Sequence, residues 1–301
     1  MKFTLAGGSG ALGRRLADEF AAQGGDVAIL TRTPTRAAHH REVRWDGRTV
    51  GRWADELSGA VVVNLAGELV DRRPTRRNID ALRRSRVEPT TALVEAAAGC
   101  KVAPTLWMQM STLAIYGDAG PGEITELHPP AKGPPQMSGV AIPWEHSATA
   151  ARCRRQVIMR TGLVLERGTP ALDRLVSLTR WGLGGRIASG VQWVSWIHIE
   201  DFVAAVRHII DMPDLDGIVH ITSPVPIQNR DMMATLRATV GRPWAPPTPK
   251  SLVRLGALLM RTDPALALTG RRCLPQRLDD TGFEFKFPTF AEAIAHLLAD
   301  V

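Results

Sequence analysis

The residues near the N-terminus have the types and spacing of a phosphate-binding turn. Glycines stand at positions 7, 10 and 13, directly after an apolar run at residues 1–6 and directly before a helical pattern. In such a strand–turn–helix unit, Gly7 permits the tight turn and Gly10 lets a pyrophosphate approach the backbone. Gly13 then lets the helix pack against the strand. The helix N-terminus attracts the anion through its free N–H groups. We therefore predict a dinucleotide site at Gly7, Ser9, Gly10, Ala11, Leu12 and Gly13.

The end of the second predicted strand indicates which dinucleotide binds. Enzymes that use NAD place an acidic residue there for the ribose hydroxyls, whereas enzymes that use NADP place an arginine for the 2′-phosphate. This chain has Thr31 and Arg32 there, and no acidic residue before Glu42. Because a guanidinium is permanently charged and binds phosphate through two donors, the sequence favours NADP(H). The alternative is that Arg32 is simply an exposed loop arginine.

The rest of the chain supplies the elements that must position this turn. Apolar runs alternate with amphipathic segments, which is typical of an α/β fold with a parallel sheet covered by helices on both faces. We predict a long helix over residues 79–98 and strands at residues 27–30, 42–45, 61–66, 105–110, 156–160 and 218–221. Residues 118–143 are rich in proline and glycine, which interrupt helices and strands. We therefore predict that this segment is a largely irregular, functional loop.

The composition is that of an ordinary globular protein: 301 residues, 45% hydrophobic and 22% charged. No apolar run reaches the ~20 residues that cross a bilayer, and Met1 starts directly on the first strand. We therefore expect no signal peptide, no membrane partner and a cytoplasmic location. Cys100, Cys153 and Cys273 are isolated, and no His, Cys or acidic cluster has ligand spacing. Neither a disulfide nor a metal site is expected.

The net charge of +7 comes from a chain whose basic residues are mostly arginines. The densest group comprises Arg72, Arg73, Arg76, Arg77, Arg83, Arg84 and Arg86. It is compatible with a solvated helix face, with contact to an anionic substrate or cofactor phosphate, or with nucleic acid. Because no nucleic-acid motif accompanies the charge, we expect no nucleic-acid partner.

Further motifs lie at residues 30–32, 64–68, 85–88, 160–162, 182–186, 195–201 and 274–278. Together with the glycine turn, they resemble an atypical family of extended short-chain dehydrogenases/reductases, commonly labelled epimerase or nucleoside-diphosphate-sugar epimerase-like proteins. The resemblance covers essentially the whole chain. It implies a Rossmann doubly wound parallel sheet in residues 1–165, completed by about 195–222. A smaller C-terminal α/β substrate lobe, with a segment of unassigned role, then falls mainly within residues 166–301.

The resemblance also extends the cofactor site and suggests an assembly. It implies NADP(H) contacts at Leu65, Ala66, Gly67, Arg86, Met110, Arg160, Thr161 and Gly162. Extended relatives often dimerise through two helices, so a homodimer is expected by analogy.

The same resemblance sets an expectation for the catalytic residues. Short-chain dehydrogenases combine a Ser or Thr with a YxxxK pair, in which the Tyr transfers a proton and the Lys lowers its pKa. Ser111 matches the family's serine, and Thr112 is an adjacent second candidate. Gln136 and Val140 occupy the positions of the pair, so the usual proton relay is absent. Tyr116, the only tyrosine of the chain, is either structural at a turn or a proton donor from a new position.

Other polar residues near this site have two interpretations each. Glu145 and His146 are expected to be exposed residues at the start of a helix, and the alternative is a catalytic role. Asp201 is expected to be a charge at a helix N-terminus, and the alternative is a place in the substrate pocket. Candidate substrate residues are Gln136, Arg186, Trp196 and His198; for Trp196 and His198 the alternative is a packed position in the core, as it is for Trp193.

Three functions follow. The first is an NADP(H)-dependent oxidoreductase or epimerase-like enzyme that acts on a small molecule. The second is a cofactor-binding sensor or scaffold without hydride chemistry, and the third is a non-redox isomerase or cyclase that uses the same pocket.

Overall fold

The computed structural model describes residues 1–35 and 37–299, in which β-strands alternate with α-helices along the chain. Within these residues the strands are β1 Lys2–Ala6, β2 Asp26–Thr31, β3 Arg41–Arg44, β4 Val61–Asn64, β5 Leu106–Thr112, β6 Glu123–Ile124, β7 Gln156–Thr161, β8 Leu163–Leu165, β9 Trp193–Val194, β10 Trp196–His198, β11 Gly217–Ile221, β12 Ile227–Gln228 and β13 Arg272–Cys273. The α-helices are α1 Ala11–Ala22, α2 Arg76–Ala98, α3 Ser138–Ala148, α4 Pro170–Arg180, α5 Ile199–Asp211, α6 Asn229–Thr239, α7 Lys250–Leu259, α8 Ala265–Leu268, α9 Gln276–Asp280 and α10 Phe290–Leu297.

The main sheet has the order β11-β7-β5-β4-β1-β2-β3 and is parallel throughout the described chain. This confirms the predicted Rossmann doubly wound sheet. The order reverses at β1, so the carboxyl ends of β1 and β4 open a crevice where such sheets bind ligands. The glycine turn leaves β1 at that crevice.

Both faces of the sheet are covered, as a parallel sheet requires. Leu16 and Phe20 of α1 and Phe202 of α5 pack on the face that carries Leu5. On the opposite face, α2 packs against Trp107. Strand residues alternate between the two layers, and this places consecutive residues of one strand on opposite sides of the sheet.

Two predicted boundaries differ from the structure by more than two residues. The long helix starts at Arg76, where Thr75 accepts a hydrogen bond from the N–H of Asn78 and caps the first turn. The segment 118–143 is not irregular to its end, because α3 begins at Ser138 and includes Pro143. Pro143 is the sixth residue of this helix, and because it has no N–H, one hydrogen bond of the helix interior is not formed there.

The C-terminal part forms a second packed layer. Trp196, α6 and α10 share one apolar cluster. Asp201 fixes the last segment to α5, since its carboxylate accepts the N–H groups of Lys286 and Phe287 at 2.8 and 3.0 Å. Trp196 and His198 are both 0% exposed, a placement that argues against the predicted pocket-lining role. None of the described helices has the length and apolar character to span a membrane.

Candidate functional site

The glycine turn has the geometry of a pyrophosphate cradle. Gly7 has φ +73°, a backbone conformation that L side chains rarely adopt. A Cβ on Gly13 would overlap the backbone of Gly8, whereas a Cβ on Gly10 would meet nothing closer than the Gly7 oxygen at 3.7 Å. No side chain from the described residues caps the start of α1. The first amides of the helix therefore remain available to an anion, and the turn fits a dinucleotide.

Two arginines lie beside the glycine turn, one directly after β2 and one in the first turn of α1. Thr31 is buried, and its Oγ1 lies 3.5 Å from Oγ of Ser9. The next residue, Arg32, is exposed. Arg14 is also exposed, and its guanidinium donates to the carbonyl of Ser9 at 2.6 Å. The sequence interpretation missed Arg14, although its place one residue after the last glycine put it on the first turn of α1.

Arg86 of α2 forms hydrogen bonds that hold the loop after β4 against this helix. The side chain of Arg86 is buried and donates to the carbonyls of Glu68 and Leu82 at 2.8 and 3.1 Å. It also lies over the ring of Trp144 at 5.0 Å. Burial lowers the pKa of Arg86 to about 10. A Cβ on Gly67 would come within 3.1 Å of this guanidinium, so Gly67 permits the close approach. The described partners of Arg86 are therefore protein groups of the loop and of α2.

The most elaborate polar feature is a buried network between β5, α3, β7 and β11. Ser111 donates to Oε1 of Glu145 at 2.5 Å. Arg160 holds both carboxylate oxygens of Glu145 at 2.9 and 2.8 Å, and it donates to the Tyr116 hydroxyl at 2.7 Å. The Tyr116 hydroxyl lies 2.7 Å from Nε2 of His220. We refer to Ser111, Glu145, Arg160, Tyr116 and His220 as the buried network.

Proton positions in the buried network follow from its partners. Nδ1 of His220 faces the carbonyl of Leu274 at 2.9 Å, and a carbonyl only accepts, so Nδ1 carries the proton. Nε2 then accepts the Tyr116 hydroxyl hydrogen, and the Tyr116 oxygen accepts from Arg160. Burial lowers the pKa of His220 to about 4 and raises the pKa of Tyr116 to about 12. Both groups therefore stay neutral, and Tyr116 is poorly suited to proton transfer near neutral pH.

The network corrects one prediction. Glu145 is not an exposed residue at a helix start, because it lies late in α3 and is only 9% exposed. His146, its neighbour, is exposed as predicted, but it too lies late in α3 and not at its start. A signal was present in the sequence: Glu145 stands four residues after Ala141 and three before Ala148, and these spacings place it on the apolar face of the helix.

The two predicted hydroxyls have different surroundings. Ser111 is 3% exposed, and its hydrogen is committed to Glu145. Thr112 points to the other side of β5, is partly exposed, and accepts the N–H of Ala114 at 3.1 Å. Its own hydrogen has no acceptor in residues 1–35 or 37–299. Thr112 is therefore the hydroxyl that can still donate to a substrate oxygen.

The start of α3, where the resemblance placed the two YxxxK positions, has a guanidinium nearby. Gln136 is half-buried, Val140 is buried, and neither side chain titrates. Arg271 reaches this region from the C-terminal part: its guanidinium donates to the carbonyl of Gly117 at 2.9 Å and lies 3.9 Å from the sulfur of Met137. Burial lowers the pKa of Arg271, and no described carboxylate forms an ion pair with it. Sequence reasoning missed it, since it stands among many other arginines.

The remaining predicted residues contribute mainly backbone or packing. Thr161 bonds the Met159 carbonyl at 3.3 Å, and Met110 is buried beside it. A Cβ on Gly162 would lie 2.8 Å from the Ser195 carbonyl, so this glycine permits close packing of two segments. Arg186 is exposed and donates to the Ala188 carbonyl at 2.7 Å.

The histidines of one cluster that offers metal-ligand atoms, His198, Glu200 and His296, are joined by a hydrogen bond that conflicts with metal binding. The potential ligand atoms of His198, Glu200 and His296 lie within 4.8 Å of one another. However, Nδ1 of His198 accepts the N–H of Glu200 at 3.0 Å. The proton of this neutral ring is therefore on Nε2, which faces Nδ1 of His296 at 3.2 Å. A hydrogen bond explains that contact, since a protonated nitrogen does not ligate.

Comparisons with known proteins agree with this geometry. Residues 3–221 match the model of the NAD dependent epimerase/dehydratase family, and residues 248–297 match a domain of unknown function, DUF1731. The chain is 29% identical to the human epimerase family protein SDR39U1, over 99% of this chain and 100% of the relative. It is 31% identical to the epimerase family protein Mb2239 of Mycobacterium bovis, over 97% and 96%. A crystal structure of human SDR39U1 isoform 2 with NADPH covers both chains fully, with TM-score 0.88 and 28% identity.

Proposed function

The chain belongs to the NAD dependent epimerase/dehydratase family, and from this premise we propose that it is an NADP(H)-dependent oxidoreductase or epimerase-like enzyme that acts on a small molecule. The observation that carries the proposal is the uncapped N-terminus of α1 behind the glycine turn, with exposed Arg32 at the adenosine end. The NADPH in the structure of the human relative supports the same choice of cofactor.

Three parts of the chain would hold the cofactor. The amides of Ala11 and Leu12 bind the pyrophosphate, Arg32 binds the 2′-phosphate, and the backbone of residues 65–67 lines the crevice between them. Bound NADP(H) supplies or accepts a hydride. Arg14 adds a second positive charge beside Ser9 and strengthens the preference for the phosphorylated dinucleotide.

Thr112 is proposed as the hydroxyl that contacts the reacting oxygen of the substrate. The Thr112 oxygen accepts a hydrogen bond from the N–H of Ala114, and this leaves the hydroxyl hydrogen of Thr112 available to donate. The buried network fixes the adjacent Ser111, so the end of β5 is held rigidly in place. Since Gln136 cannot relay a proton, the substrate oxygen exchanges its proton with water at this partly exposed position.

Arg271 is proposed as the anchor for an anionic part of the substrate. It is a half-buried cation near the start of α3, and its described partners are the neutral acceptors Gly117, Thr269 and Met137. A substrate anion there would pair with the Arg271 guanidinium and replace the solvation that the guanidinium loses on burial. This favours substrates that carry a carboxylate or a phosphate.

Two variants of Thr112 test the proposal. Thr112→Val keeps the shape and loses the hydroxyl, whereas Thr112→Ser keeps the hydroxyl. We expect Thr112→Val to lower NADPH-dependent turnover of carbonyl substrates ~10²-fold or more, with unchanged NADPH affinity and with activity largely retained in Thr112→Ser. If NADPH gives the wild-type protein no protection against thermal unfolding, the proposal fails at the cofactor step.

A cofactor-binding sensor without hydride chemistry is the second candidate. The replacement of the YxxxK pair by Gln136 and Val140 favours it. This candidate predicts NADPH protection without NADPH oxidation by any member of a broad carbonyl panel. Turnover with any of them excludes it.

A further inference from the structure

Two histidines and a carboxylate come together at the surface between α1 and the loop after β2. The potential ligand atoms of Asp18, His39 and His40 all lie within 4.8 Å of one another. Nε2 of His40 lies 2.7 Å from Oδ1 of Asp18. The rings of His39 and His40 meet edge to face, with their centroids 5.0 Å apart. We refer to Asp18, His39 and His40 as the histidine cluster.

Two separate elements position the histidine cluster. Asp18 lies in the middle of α1, whereas His39 and His40 end the loop that leads from β2 to β3. No ligand spacing in the sequence predicts this arrangement, because 22 residues separate Asp18 from His40 and only the fold joins them. The cluster therefore connects α1 with the loop that begins at Arg32.

The ring nitrogens of the histidine cluster are free in a way that those of His198 are not. In His198, a backbone N–H occupies Nδ1 and fixes the proton on Nε2. In the described part of the chain, no group bonds to Nδ1 of His40, so the neutral ring can carry its proton there while Nε2 binds a metal. Neither ring nitrogen of His39 has a hydrogen-bond partner among the described residues. Two imidazole nitrogens and one carboxylate oxygen can therefore face the same ion.

The charges around Asp18 leave its carboxylate to the histidines. Arg14 and Arg15 precede Asp18 by four and three residues, so they are its neighbours on the surface of α1. However, Arg14 donates to a backbone carbonyl of the glycine turn, and Arg15 donates to Glu166 at 2.6 Å. The described ion pair of Asp18 is with His40 alone. The Asp18 side chain is 57% exposed, so an ion bound to it would also have access to water.

We propose that the histidine cluster binds a divalent late transition metal of the Zn²⁺ type. Two imidazoles and a carboxylate suit zinc, whereas Mg²⁺ and Ca²⁺ take oxygen ligands. With metal–ligand bonds of ~2.0–2.1 Å, the ligand atoms around a tetrahedral zinc are ~3.3 Å apart.

The present geometry is close to that spacing. Separations of up to 4.8 Å would have to shorten by at most about 1.5 Å, and Asp18 and His39 are both exposed side chains that are able to rotate. Water completes the coordination. The bound metal would hold the end of the loop that begins at Arg32 against α1.

Calorimetric titration with zinc chloride tests the proposal. The whole chain is titrated without NADPH, so the outcome does not depend on the proposed cofactor. We expect a single zinc site in the wild type. Asp18→Asn and His39→Ala each remove one ligand at an exposed position and should weaken zinc binding at least ~10-fold. Zinc should also raise the unfolding temperature of the wild type but not that of Asp18→Asn, because a metal that binds only the folded chain stabilises it.

The matched control is His146→Ala, which removes an exposed histidine of α3 outside the cluster and should bind zinc like the wild type. Unfolding temperatures without zinc verify that every variant folds. A titration with Co²⁺ reports the type of ligand, since a thiolate-to-cobalt charge-transfer band would place the metal at a cysteine. Four results would overturn the proposal: no zinc site in the wild type, wild-type affinity in Asp18→Asn or His39→Ala, an equal loss in His146→Ala, or the thiolate band.

Discussion

Replacing Glu145 by Gln removes the negative charge of the buried network while keeping the shape of the side chain. Arg160, whose side chain is 3% exposed, then remains a cation without its counterion. The amide nitrogen of the new side chain also has to face either Ser111 or a guanidinium nitrogen, and both are donors in the present arrangement. Compensation by water is restricted, because the site is closed.

The expected cost can be worked from this geometry. Removing one partner of a buried ion pair costs ~3–5 kcal/mol of unfolding free energy. For a chain of 301 residues, an unfolding entropy of ~2.1 cal/mol/K per residue converts this loss into a fall of roughly 5–8 °C in the unfolding temperature.

The assay is thermal unfolding of wild type, Glu145→Gln and Glu88→Gln at neutral pH. Glu88 pairs with Arg48 at 2.9 Å on the surface, where the two side chains are 36% and 70% exposed. This control carries the same chemical change, yet its expected cost is below ~1 kcal/mol, or less than about 2 °C. Equal shifts for the two variants would refute the assignment of a buried, charge-balancing role to Glu145. The double variant Glu145→Leu/Arg160→Met should be less destabilised than Glu145→Gln, since it leaves no unpaired charge.

Two further predictions concern the turn and the histidine of the network. Gly13→Ala should lower the free energy of unfolding by ~3 kcal/mol, because the new Cβ overlaps the backbone of Gly8. The Cβ of Gly10→Ala would lie in open space, so this variant should lose under ~1 kcal/mol. Urea unfolding compares the two variants, and equal losses would contradict the packing role of Gly13. The folded pKa of His220 is about 4 against 6.5 in the unfolded chain, so its contribution to stability is complete above pH 6.5 and is lost as the pH falls from 6.5 to about 4. His220→Gln should therefore flatten the acid side of the stability profile by up to ~1.4 kcal/mol per pH unit, and an unchanged slope would show that His220 titrates normally.

The sequence was most informative where chemistry is local. The glycine spacing, the apolar strands and the choice of Arg32 involve neighbours within a few residues, so the sheet could be predicted and was confirmed. The family resemblance placed Trp144 and Glu145 on one helix, although the burial of the Glu145 carboxylate was missed.

The polar interior was less predictable because its partners are distant in sequence. Tyr116 and His220 are 104 residues apart, and Ser111 and Glu145 are 34 apart. Whether an arginine such as Arg160 contacts a ligand or a buried carboxylate depends on these long-range contacts. Arg271 illustrates the same limit, since only the folded chain brings it to the start of α3.

The most direct test of the central claim is a calorimetric titration of the wild-type protein and Arg32→Glu with NADPH and with NADH. A charge-assisted contact between Arg32 and the 2′-phosphate is worth ~1.5–3 kcal/mol, so we expect wild type to bind NADPH roughly 10- to 100-fold more tightly than NADH. Arg32→Glu should abolish or reverse this preference while changing NADH affinity little. Equal affinity of wild type for the two dinucleotides, or an equal loss of both in Arg32→Glu, would contradict the proposed site.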